Sequence, residues 1–126
     1  MSAMIRYLFR QPKYPLLVES DFRVFGAYNP GKIEKMITKG AFKNDTSYKV
    51  IDSNGEGWCL YMESTVISPL CVEKRWNKPK IIKFFNQSLE KAGLPQRFVG
   101  RSLSSKRLER VILEIVEFDD TQEEQA

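Results

Sequence analysis

Lys80, Lys83, Gln87 and Lys91 recur at three- and four-residue spacing, which on a helix sets them along one side. Lys32, Lys35 and Lys39 repeat the pattern earlier in the chain. A row of ammonium groups attracts the phosphates of a polyanion such as RNA or DNA; without such a partner, the same row is the ordinary solvated side of a helix. Ahead of the second row runs Glu73-Lys74-Arg75-Trp76-Asn77-Lys78-Pro79-Lys80, an aromatic interleaved with four bases at a helix start, where free backbone N–H groups already favour anions. Trp76 has two readings there: stacked on a base while Arg75 and Lys78 hold phosphates, or packed beneath the helix entrance. Arg97 and Arg101, followed by Lys106 and Arg107, add guanidinium forks suited to bidentate anion contacts. The expected polyanion-binding set is therefore Lys32, Lys35, Lys39, Arg75, Trp76, Lys78, Lys80, Lys83, Lys91, Arg97 and Arg101.

Other chemistry is sparse. The chain has no histidine, which removes the usual proton shuttle near neutral pH, the Ser-His and Cys-His nucleophile pairs and most zinc sites. Cys59 and Cys71 read as free thiols, Cys59 buried in a strand and inert, Cys71 more open with only Lys74 or Arg75 near to activate it. Glu19 with Asp21, and Glu117 with Asp119 and Asp120, are the carboxylate clusters that acid-base work or a divalent metal would use, but acids in such places ordinarily mark strand ends and solvated tails. No phosphate-binding glycine loop or nucleophile elbow accompanies them. The expectation is a non-catalytic binding domain with no catalytic residue, metal or cofactor. Its partner is RNA or DNA, or else a protein or a second copy of itself, as in a protein-interaction or regulatory module.

Charge is unevenly spread. Residues 71–110 hold eleven bases against three acids, and residues 111–126 hold six acids and no base. The acidic end is expected to fold over the basic stretch and compete with nucleic acid, so that deleting residues 119–126 tightens binding. With 126 residues the chain suffices for one core: residues 1–118 are expected to form a single domain and residues 119–126 a flexible acidic tail. No apolar run is long enough to cross a membrane, and a reducing cytoplasm is the expected compartment.

These side chains need elements to hold them. Ile81, Ile82, Phe85, Leu89 and Ala92 share one helical arc, with Asn77 as cap, Pro79 in the first turn and Gly93 as stop, which predicts a helix over 78–92. A shorter helix over 30–39 follows from Ile33, Met36 and Ile37 between Asn29-Pro30 and Gly40. Strands are expected over 22–28, 47–52 and 58–67, the last two joined as a hairpin through Asn54-Gly55. Residues 108–118 fit either a helix or a strand; basic residues at the start and acidic residues at the end oppose a helix dipole and favour a strand, apolar on both faces, which calls for cover from Ile5, Tyr7, Leu8 and Phe9 or from the same strand of a second subunit. The resulting fold is α+β, an antiparallel sheet with two helices on one face in the ferredoxin-like βαββαβ order, with an extra N-terminal segment over 4–18. The alternative is a curled sheet or partial β-barrel with a long helix, to which that segment contributes strands.

Overall fold

The computed structural model describes residues 4–125. They form an α+β domain with one curled, half-barrel sheet of six strands and three helices. The strands are β1 (Arg6–Tyr7), β2 (Leu16–Val18), β3 (Phe25–Ala27), β4 (Ser47–Ile51), β5 (Gly57–Tyr61) and β6 (Val66–Ser68), and the helices are α1 (Pro30–Thr38), α2 (Lys78–Lys91) and α3 (Leu108–Gln125). Their order across the sheet is β1-β6-β5-β4-β2-β3, antiparallel except where β1 joins β6.

The hairpin between β4 and β5 turns on Gly55 at φ 76°, a left-handed conformation that suits glycine. Asp52 locks it from within: one carboxylate oxygen accepts from the N–H groups of Asn54 and Glu56, and the other from Lys13 N and the Trp58 indole. The expected single strand over 58–67 is two strands. Thr65, at φ 55°, closes a tight turn between β5 and β6, and apolar residues on both sides of that turn make the sequence pattern look continuous.

The largest departure is α3. Residues 108–118 are helical, not a strand, because Val111, Ile112, Ile115 and Val116 lie on one stripe and are all fully buried between the sheet and α2. Burying such side chains is worth about 1.5–3 kcal/mol each, against about 0.3–1 kcal/mol for each unfavourable charge at an exposed helix end. Most of the apolar residues assigned to two strand faces are one helical stripe, so residues 108–118 are not the strand expected to pair with a second subunit. The boundary expected at residue 118 falls inside α3, where Asp119 is fully buried.

Side chains alternate across the sheet, and each face has its own cover. Leu16, Val18, Phe25, Val50, Trp58 and Leu60 meet Ile33 and Met36 of α1 in one core. Leu17 and Ile51 meet Ile81, Phe85 and Leu89 of α2 and the α3 stripe in the other. Thus α1 and α2 lie on opposite faces, where two helices on one face were expected.

Candidate nucleic-acid interface

α2 carries the basic row and is fixed at both ends. Asn77 Oδ1 accepts from Lys80 N at 2.9 Å, Pro79 stands in the first turn, and Gly93 leaves the helix at φ 76°. Burial of Ile81, Phe85 and Leu89 sets the roll of the helix, which leaves Lys80, Lys83, Gln87 and Lys91 exposed. Beside this row two adjoining clefts, of about 300 and 190 Å³, share Glu19 in their walls. Lys49, Cys59, Cys71 and Trp76 line the first, and Phe22, Phe84, Gln87 and Lys91 line the second.

Glu73 sits between two ammonium groups, 2.8 Å from Lys49 Nζ and also paired with Lys80. Hydrogen bonding to Lys49 and then Lys80 holds its carboxyl below the usual range, and the same bond raises Lys49. With Glu19 in the same wall, two carboxylates stand against two lysines, so this end of the groove is close to charge-balanced and the uncompensated bases are those farther along α2. Glu19 accepts from Lys49 N at 3.0 Å and Asp21 from the Tyr48 hydroxyl at 3.0 Å. Ser20 Oγ accepts from the N–H groups of Phe22 and Arg23, both at 3.2 Å, and holds the Phe22 ring half exposed at the rim of the second cleft.

The expected site residues separate. Lys32 and Lys35 lie on α1 and Lys39 at its C-cap, on the other side of the sheet, so the two lysine rows do not adjoin. Trp76 is buried and tilted against Phe84 with ring centroids 5.0 Å apart, while Lys80 Nζ lies 4.7 Å over its ring. It packs beneath the helix entrance and is not free to stack on a base. Lys78 is turned inward: its ammonium donates to the carbonyls of Leu103 and Lys106 and ties the start of α2 to the segment before α3. Arg75 is exposed, its backbone bridged to Glu56. Arg97 donates to the carbonyl of Leu94 and lies 3.8 Å from Glu90, and Arg101 is exposed in the loop after α2.

Of the expected set, Lys80, Lys83 and Lys91 remain together on the exposed side of α2, where Lys91 lines the second cleft with Phe22 and Phe84, and Lys49 lines the first. Lys49 was legible as an outward position, since it alternates with buried Tyr48 and Val50. Phe22 had a weaker signal, an aromatic in the otherwise polar turn Glu19-Ser20-Asp21-Phe22-Arg23. In the other carboxylate cluster Asp119 is structural: it is buried, paired with Arg23, and accepts from Gly26 N at 2.9 Å. Among the described residues no group of three or more histidine, cysteine or acidic side chains converges as a metal site. Cys59 is half-buried and not sealed in its strand as expected, and burial raises the pKa of both thiols. No family model, curated protein or solved structure matches the chain.

Proposed function

We propose that this domain acts by binding single-stranded RNA or DNA along the groove beside α2. The observation that carries the reading is the exposed Lys80, Lys83 and Lys91 row on α2, whose Lys91 lines the second cleft together with the exposed Phe22 ring. Phosphates follow the lysine row, and bases enter the clefts. There Phe22 and Phe84 offer apolar faces, and Glu19 and Asp21 offer acceptors for base amino groups. A duplex hides its base faces in its own stack, so the aromatic component favours a single strand.

Fluorescence anisotropy with labelled oligouridine and with duplex DNA, each at two salt concentrations, tests this. The single strand is expected to bind more tightly. Three lysine–phosphate contacts imply a slope of about −2 in log K against log salt, at roughly 0.7 per contact on single strands. Phe22→Ala is expected to weaken binding by about 1–3 kcal/mol, the range measured for a base–aromatic stack. Absence of binding at low salt would overturn the reading and turn the search to a protein partner.

A further inference from the structure

Cys59 and Cys71 face the first cleft and have no part in the phosphate reading. Their meeting depends on Gly57. The segment after Cys71 crosses β5 so closely that a Cβ at Gly57 would lie 1.7 Å from the Glu73 carbonyl oxygen. With no side chain there, Gly57 N donates to Lys74 O at 3.0 Å, and Cys71 Sγ donates to Gly57 O at 3.1 Å. Residues two apart on a strand project from the same side, which puts the Cys59 side chain beside this contact. Both thiols open on the same cleft, and each perturbs the titration of the other.

From this shared wall of an open cleft, with Cys71 packed on the strand that carries Cys59, we infer that Cys59 and Cys71 form a dithiol site that a hydroperoxide oxidises to an intrachain disulfide and a small thiol restores. Cys71, the less deeply covered of the two and the one beside Lys74, reacts first. Its sulfur attacks the terminal peroxide oxygen and the O–O bond breaks. The leaving oxygen departs with the thiol proton, leaving a sulfenic acid. The Cys59 sulfur then attacks the sulfenic sulfur; the S–S bond forms, the S–O bond breaks, and the hydroxyl leaves with the Cys59 proton as water. Two thiols and one hydroperoxide thus give one disulfide, one alcohol (or water, from hydrogen peroxide) and one water. Burial keeps both thiols protonated at neutral pH, so the reaction is slower than that of an activated thiolate. The product ties the Leu70 and Val72 loop, whose side chains are exposed, to β5.

The test is intact-mass spectrometry of the reduced full chain after hydrogen peroxide, with N-ethylmaleimide counting the thiols left. The expected result is a monomer lighter by two hydrogens, maleimide adducts falling from two to none, and both adducts restored by dithiothreitol. In Cys59→Ser and Cys71→Ser the two-hydrogen loss is absent and the remaining thiol gains oxygen. The inference is overturned if the wild-type chain gains oxygen on each cysteine separately or crosslinks only between chains. It is also overturned if both thiols stay alkylatable under peroxide that fully oxidises a control dithiol peptide.

Discussion

Asp119 seats the C-terminal helix on the sheet. Its carboxylate pairs with Arg23 and takes the N–H of Gly26, and none of it reaches solvent. Removing one partner of a buried pair leaves an uncompensated charge, so Asp119→Ala is expected to cost about 3–5 kcal/mol in urea unfolding. Asp119→Asn keeps an oxygen for Gly26 and should cost less. The same geometry reverses the expectation for deleting residues 119–126: the truncation removes this anchor, and lost stability, not tighter nucleic-acid binding, is the result to look for. Sequence could not show the pairing, because Arg23 and Asp119 stand 96 positions apart and an acid at the head of an acidic run looks like a tail. Partly buried, ion-paired carboxylates set the acid limit. Glu73 is held low by Lys49 and Lys80, and Glu114 by Lys106 and Arg110. A carboxylate with a depressed folded pKa contributes stability that is full above its unfolded value, near 4.5, and is lost as pH falls through the folded one. The urea midpoint should therefore fall as pH drops below about 4.5, and high salt should flatten that fall.

At the scale of elements, the two contested segments were decided by packing that sequence does not display. In α3, opposed dipole charges lose to four buried β-branched side chains, and Lys106 and Arg110 both pair with Glu114 in the body of the helix instead of leaving its start bare. Phe118 adds edge contacts to Phe85 and Phe98, with centroids 6.0 and 5.8 Å apart, which join α2, α3 and the loop between them. Ile115→Ala is expected to destabilise by about 2–5 kcal/mol in the same urea assay, the range for emptying a buried aliphatic site. Gly26→Ala tests the α3 contact from the sheet side. Its Cβ would lie 2.8 Å from Val116, so α3 must shift, at a cost of about 1–3 kcal/mol. By contrast α2 was legible to within one residue, because its cap, its stop and its apolar arc are local; only Ala92, expected in that arc, stands exposed at the C-cap. Asn77→Ala should cost about 1 kcal/mol, the usual loss for removing a capping side chain.

The whole molecule decides which basic residues can act together. Period and spacing placed Lys35, Lys80, Lys83 and Lys91 on the outer sides of their helices correctly, yet they carry no information about which face of the sheet each helix covers. That depends on how β2 and β3 join the sheet and on α3 taking the place beside α2, both long-range outcomes. With α1 and α2 on opposite faces, one strand of nucleic acid lying along α2 cannot also follow α1 without passing around the domain. The two rows therefore make different predictions. Lys83→Glu with Lys91→Glu should weaken oligouridine binding at least about tenfold, since each reversal removes an attraction and adds a repulsion, and should cut the salt slope by about 0.7 per lost contact. Lys35→Glu with Lys39→Glu changes net charge by the same amount and should leave affinity within about twofold at physiological salt, where the Debye length of about 8 Å is shorter than the path through the sheet. Equal losses from both pairs, measured by anisotropy at matched salt, would mean that the ligand responds to net charge alone and that the groove beside α2 is not its seat.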